Sequence, residues 1–160
     1  MRRTLTITLS LLAALAVAPA AFAAKAHRYT SSFDMSTLST GGGYPNQGGV
    51  AVLSGTWKVS GLGDSAGDLL DRITITGHPT DSVFTFKGAE TGFLPGGTIN
   101  NVYTGWSMLR SDGSLAVAGE GDFIGGTGKY HGAHGHYTFS GTGSPVTGVT
   151  NIKSRGTIVS

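Results

Sequence analysis

Residues 125–143 read GGTGKYHGAHGHYTFSGTG, and this stretch indicates the fold more clearly than any other. Glycines crowd its first half, where a turn needs backbone angles that other residues avoid. Tyr137 and Phe139 then alternate with small polar residues, which places both rings on one face of an extended chain. The pattern predicts a tight turn that leads into a half-buried β-strand.

Similar alternation recurs along the chain, between turns rich in glycine, proline and aspartate. Residues 111–114, SDGS, predict a hairpin, because Asp-Gly suits a type I′ turn. No segment has the 3.6-residue period of an amphipathic helix. Strands are predicted at residues 27–35, 50–60, from 73 onward, at 84–88, 98–110, 115–123, from 137 and at 152–159. A loop is predicted at residues 88–97.

About eight short strands indicate an all-β protein, and closure into an antiparallel β-barrel is the expected architecture. Only 12% of the residues are charged and only 5 are proline, so the chain has few of the residues that protect an exposed sheet edge. A barrel removes such edges by pairing its first strand with its last. With eight strands, the interior either is filled by side chains or holds one small ligand.

Three aspartates, Asp64, Asp68 and Asp71, lie close together before the third strand. Their carboxylates suit either a turn or a calcium site. The spacing lacks the regular ligand pattern of a calcium-binding loop, so a turn is predicted that ends at Asp71.

The N-terminus has the form of a secretory signal peptide. Arg2 and Arg3 precede an apolar run at residues 5–18, which is followed by Ala21-Phe22-Ala23. The sequence therefore predicts a signal peptide at 1–23, one barrel domain at 24–160, and a secreted or periplasmic location. The apolar run is too short to cross a bilayer and no comparable run follows, so no membrane association is expected after cleavage.

Charge and cysteine content exclude several partners. The chain has 11 Lys and Arg against 9 Asp and Glu, and Arg2 and Arg3 account for this excess. A neutral domain gives no reason to expect a nucleic-acid partner. Without cysteine there are no disulfides or thiolate metal sites. Nothing in the sequence points to a cofactor.

Glu120 and Asp122 share one face of a predicted strand and are the candidate catalytic acids. If that face is inward, burial would raise their pKa values and they could protonate a ligand or orient water. If it is outward, they are solvated carboxylates. Alternation with Val117 and Phe123 favours the outward orientation.

His131, His134 and His136 are candidate metal ligands, because imidazole binds zinc and copper. The alternative is that they are surface histidines opposite the face that carries Tyr137 and Phe139. A closed metal site needs further ligands and a supporting second layer of contacts, so no metal is predicted.

Six aromatic residues would line or fill the barrel interior: Trp57, Phe84, Phe86, Tyr103, Tyr137 and Phe139. As a pocket wall they suit a small hydrophobic ligand, and as a solid core they need no ligand. Two functions stay open, a ligand-binding barrel and a non-catalytic structural or interaction barrel with a filled interior.

Residues 111–119, SDGSLAVAG, and 122–135, DFIGGTGKYHGAHG, resemble the allene oxide cyclase barrel superfamily and its dirigent relatives. Those families carry a hairpin, a G-S-L-x-V-x-G strand and a G-G-x-G-x-(aromatic)-x-G-A-x-G segment. Residues 62–64 and 73–77 add a weaker match. Together with the signal peptide, the resemblance indicates a bacterial secreted member.

The resemblance implies an eight-stranded antiparallel barrel with a hydrophobic cavity, commonly a homotrimer, and isomerase activity of the allene oxide cyclase type. It supplies no catalytic residue, because the acidic motif with which the plant cyclases act is not found between His27 and Gly49.

Overall fold

The computed structural model describes residues 25–62 and 65–159, so the predicted signal peptide at 1–23 and Asp64 lie outside the described residues. The elements are β1 Ala26–Gly41, β2 Val50–Ser60, β3 Ser65–Thr80, β4 Val83–Leu94, β5 Gly97–Leu109, β6 Leu115–Gly126, a short 3-10 helix Gly128–Tyr130, β7 His134–Gly143 and β8 Val149–Val159. Within these ranges, no helix is long and apolar enough to cross a membrane.

Each strand pairs antiparallel with the next, and β8 pairs with β1, which closes the barrel. The closing ladder runs from Ala26 opposite Val159 to Ser36 opposite Val149. Neither terminal strand therefore leaves an unpaired edge. The predicted all-β, eight-stranded antiparallel barrel is confirmed.

The stretch at 125–143 forms the turn and strand predicted for it. It contains the end of β6, the 3-10 helix and β7. Gly128 and Gly132 adopt φ of 58° and 81°, angles that favour glycine over other residues. Tyr137 and Phe139 point inward from β7, with Tyr137 buried and Phe139 half-buried.

Two segments predicted as turn or loop are strand. β3 begins at Ser65, so Asp68 and Asp71 lie within it, and Asp71 is paired with Leu53 on one side and Glu90 on the other. β4 continues to Leu94 through residues 89–94, which were predicted as a loop. Asp71 is buried on the inner face, whereas Asp68 is exposed, and Gly88 and Gly92 leave room for the rings of Tyr103 and Trp57.

Glycines on the inner wall lie opposite aromatic residues on neighbouring strands. Tyr103 of β5 stands between Gly88 of β4 and Gly121 of β6. A Cβ atom at Gly121 would come within 2.6 Å of the Tyr137 ring. Each ring thus occupies the space that a side chain on the opposite residue would otherwise fill. Phe86 lies opposite Gly105, Phe139 opposite Gly119, and Tyr137 and Tyr29 opposite Gly156.

The two ends of the barrel differ. The end with the β2–β3, β4–β5 and β6–β7 connections is packed with buried apolar residues, among them Tyr130, Ile99 and Ile158. The Tyr130 hydroxyl donates to the Pro95 carbonyl at 3.3 Å across this end. The opposite end, where β1 meets β2 and β7 meets β8, opens into the interior.

Replacing Gly121 with alanine is expected to lower the free energy of unfolding by about 2 kcal/mol, because the new methyl group would lie 2.6 Å from the Tyr137 ring and 2.8 Å from Tyr103 Cβ. Urea denaturation measures the change. Gly41→Ala is the matched control, since no heavy atom lies within 4 Å of the added Cβ atom there. Equal stability of the two variants would contradict this view of the interior.

Candidate functional site

The open end leads into a cavity of about 700 Å³. This volume lies within the range of about 300–1,000 Å³ that is usual for small-molecule sites. The interior is therefore not filled, which contradicts the alternative of a solid barrel. Apolar and aromatic side chains make up most of the inner lining, including Phe33, Met35, Leu53, Ile73, Phe84, Phe86, Tyr103, Val117, Tyr137, Phe139 and Ile152.

Two acidic residues interrupt this apolar wall. Asp71 of β3 and Glu90 of β4 are direct cross-strand partners, and both line the cavity. Their exposed fractions are only 2% and 7%. Direct partners on antiparallel strands have Cβ atoms about 5 Å apart. Asn101 of β5 lies opposite Glu90, so three polar residues form one row across three neighbouring strands.

Hydrogen bonds hold this row. The Tyr103 hydroxyl donates to Asp71 and lies 2.6 Å from each carboxyl oxygen. Asn101 donates from Nδ2 to Glu90 Oε1 at 3.0 Å and accepts at Oδ1 from the Tyr137 hydroxyl at 2.6 Å. Among the described residues, Asn101 Nδ2 is the side-chain donor found for the Glu90 carboxyl group, and it binds Oε1.

Burial changes the protonation of both acids. It raises the pKa of Asp71 to about 7, although the hydrogen bond from Tyr103 opposes the rise. Burial, together with the charge of Asp71, raises the pKa of Glu90 to about 8. Both pKa values lie near neutral pH, so the two groups retain about one proton between them there.

The Tyr103 hydroxyl remains a hydrogen-bond donor over the pH range in which the two acids titrate. Its burial raises its pKa well above the ordinary value, and the charge of Asp71 adds to the rise. The site thus offers a carboxylic acid and a carboxylate side by side, next to an apolar cavity. This combination suits proton transfer to and from a bound molecule.

Five of the six aromatic residues predicted as ligand contacts line the cavity: Phe84, Phe86, Tyr103, Tyr137 and Phe139. Trp57 does not line the cavity, and it matches the other expected role, that of filling the interior. Trp57 is fully buried and stacks on Phe33 with ring centroids 5.6 Å apart. A Cβ atom at Gly92 would overlap the Trp57 ring, so the indole fills the barrel core instead.

Glu120 and Asp122 lie on the outer face of the barrel and are exposed. His136 contacts both, with its Nδ1 at 2.9 Å from Asp122 Oδ1 and its Nε2 at 3.9 Å from Glu120 Oε2. Neither carboxylate faces the cavity. As catalytic acids for an interior ligand they are wrong, and the outward orientation favoured by the alternation is confirmed.

The three histidines do not converge on one point. His131 and His134 are exposed, and His134 Nδ1 lies 3.0 Å from the Gly132 carbonyl oxygen. His136 interacts with the two outer carboxylates. Among the described residues, no group of three or more His, Cys, Asp or Glu side chains is placed to hold a metal ion.

Sequence reasoning missed Asp71 and Glu90, although a signal was present. Leu69, Asp71 and Ile73 alternate on one face, which places Asp71 on the apolar side of its strand. Extending the alternation from Phe86 places Glu90 on the same face as that ring. The turn-forming tendency of aspartate and glycine concealed both positions.

The fold is shared with a solved structure, that of the pterocarpan synthase dirigent protein GePTS1. The superposition has a TM-score of 0.52 with 14% sequence identity, and it covers 84% of each chain. No protein-family model and no curated protein sequence matches the chain. The protein is thus a closed eight-stranded barrel of the dirigent-like fold.

The stability of the protein is expected to fall as the pH rises from about 5 to about 8. The unfolded acids ionise near pH 4, whereas Asp71 and Glu90 keep their protons in the folded barrel until their raised pKa values are reached. Stability present at low pH is therefore lost as the pH rises through these values. Each unit of raised pKa corresponds to about 1.4 kcal/mol.

Urea denaturation between pH 5 and pH 8 measures this decline. Glu90→Gln should flatten it, because the amide cannot ionise. Glu120→Gln makes the same chemical change on the outer face and should retain the wild-type slope. A wild-type stability that rises over this range would contradict the buried acid pair.

Proposed function

We propose that the barrel binds a small, mostly apolar molecule with at least one oxygen atom that accepts a hydrogen bond, and that Asp71 and Glu90 transfer protons to and from this molecule. The activity would be an isomerase or cyclase reaction of the acid–base type. One observation carries this proposal. A carboxyl pair that shares about one proton at neutral pH lies in the wall of an open apolar cavity.

Each group has a defined role. The Glu90 carboxyl donates its proton to the ligand oxygen, and the Asp71 carboxylate takes a proton from the adjacent carbon. The electron pair of the broken C–H bond forms a carbon–carbon double bond, which gives an enol. Where a second carbon–carbon double bond is conjugated with the enol, Asp71 returns its proton to the far carbon of that system. The electron pairs shift back to re-form the carbonyl, and the enol O–H proton returns to Glu90, which releases the isomer and restores both groups.

Tyr103, Asn101 and Tyr137 act as positioning residues. Tyr103 holds Asp71 through both carboxyl oxygens, which favours the ionised form required of a base. Asn101 holds Glu90 through Oε1, and the ligand oxygen would meet the other carboxyl oxygen. The surrounding rings would exclude water and strengthen these interactions.

Two comparisons support the class of reaction. The dirigent protein with this fold is described as a pterocarpan synthase, so this barrel can serve small-molecule synthesis in another protein. The allene oxide cyclase resemblance of residues 111–135 adds support for an isomerase or cyclase. Residues 1–23 favour a secreted or periplasmic location for the activity.

We also propose that the protein is a homotrimer. Exposed apolar side chains on the outer face of β5, Val102, Trp106 and Met108, form a surface suited to a neighbouring copy. Native mass spectrometry should report three chains, and a monomer at micromolar concentration would contradict this proposal.

Ligand binding is tested with N-phenyl-1-naphthylamine, a neutral apolar probe that fluoresces when removed from water. The wild type should enhance its fluorescence, and Val117→Trp should abolish the enhancement because the indole fills the cavity. Ile124→Trp makes a comparable change at an exposed position of β6, outside the proposed trimer surface, and should bind as the wild type does. Equal binding by both variants would place the probe outside the barrel.

Proton transfer is tested with 2-acetylnaphthalene in D2O, where mass spectrometry follows deuterium uptake at the methyl group beside the carbonyl. The wild type should accelerate uptake above buffer, and Glu90→Gln should lose about 100-fold or more of that acceleration while still binding the probe. Glu120→Gln should react as the wild type. Binding without accelerated uptake would support a non-catalytic ligand-binding barrel and contradict catalysis.

A further inference from the structure

Ser107 is a buried polar residue that has no role in the proton transfer proposed for Asp71 and Glu90. It lies on β5 near the open end of the barrel, lines the cavity and is only 2% exposed. Its hydroxyl Oγ finds no hydrogen-bond partner among the described residues. Its direct cross-strand partners are Phe84 and Val117, which offer no polar side-chain atom.

An unpaired buried hydroxyl is costly. Leaving such a group without a partner costs about 1–3 kcal/mol, and most buried polar groups in proteins are therefore satisfied. Apolar residues would fill this part of the wall without that cost. The hydroxyl of Ser107 is thus placed to meet a polar atom of a molecule in the cavity.

Ser107 is well separated from the acid pair. Phe84, its partner on β4, precedes Glu90 on the same strand by six residues. At about 3.3 Å per residue, these six positions separate the Cα atoms of Ser107 and Glu90 by about 20 Å along the barrel. The rings of Phe84, Phe86 and Phe139 line the same cavity as Ser107 and Glu90.

We infer that the ligand is an elongated molecule with two polar ends, one at Glu90 and Asp71 and the other at the Ser107 hydroxyl, joined by an apolar body. This inference rests on the proposed function and specifies its ligand class. Ser107 would determine specificity by recognising a hydroxyl or carbonyl oxygen at the end nearer the opening. A molecule with only one polar end would leave this hydroxyl unpaired.

Matched alcohols and diols test the inference. Linear 1-alkanols and α,ω-alkanediols with 8, 10 and 12 carbons are titrated by displacement of N-phenyl-1-naphthylamine. For each length, the ratio of the two dissociation constants measures what the second hydroxyl contributes. At the chain length that binds most tightly, Ser107→Ala should weaken binding of the diol about fivefold relative to the alkanol. The reason is that a hydrogen bond contributes about 1 kcal/mol.

Ser140→Ala is the matched control, because Ser140 is exposed on β7 and is not among the residues that line the cavity. It should leave the ratio as in the wild type. An unchanged ratio in Ser107→Ala at every chain length would overturn the inference. If the alkanols themselves fail to displace the probe, or the probe fails to bind, the proposed function fails first.

Thermal unfolding gives a readout that is independent of ligand. Ser107→Ala removes a buried unpaired hydroxyl, so the ligand-free variant should unfold at the wild-type temperature or higher. A lower unfolding temperature would mean that the hydroxyl stabilises the folded protein by itself. That result would overturn a role reserved for the ligand.

Discussion

The packing of aromatic rings over glycines is the constraint on which the rest of this barrel depends. An eight-stranded barrel is only just wide enough for side chains to fill its interior. Here the rings of Tyr103, Phe139 and Phe86 each face a glycine on a neighbouring strand. Since glycine has no side chain, the rings take up space at the wall. The cavity near the open end is the volume that this arrangement leaves.

The same packing positions the polar groups. Gly88 and Gly121 flank Tyr103, whose hydroxyl reaches Asp71. Gly121 also faces Tyr137, which donates to Asn101 and so acts on Glu90. Each glycine therefore leaves room for a ring, and the ring fixes the position of its hydroxyl group. The hydroxyl then binds a carboxyl group, either directly or through Asn101. Because the rings also bury the acids, they raise both pKa values and keep a proton in the pair.

Much of the fold could be predicted from the sequence, because the turn at Gly128 and Gly132 and the alternation at Tyr137 are local signals. Closure could be argued as well, since a chain with so few charges has little to protect an open edge. The site could not be predicted. Asp71 and Glu90 become a pair only through the register of β3 and β4, and register is not written in either strand alone.

The interior glycines were also misread for a physical reason. Gly88 and Gly92 suggested a loop, because glycine is common where the chain turns. In the barrel they lie within β4, and their function is to leave room for Tyr103 and Trp57. A single sequence does not distinguish a glycine needed for its backbone from one needed for its missing side chain. The distinction requires knowing which residue of the partner strand lies opposite the glycine.

The most direct test of this account is a carbon-13 NMR titration of the side-chain carboxyl carbons, with Asp71 and Glu90 assigned by Asp71→Asn and Glu90→Gln. The account predicts that both carboxyls titrate several pH units above their ordinary values of about 4. Titration of both groups near pH 4 would mean that water reaches them freely, and a proton held between two buried acids would then be ruled out.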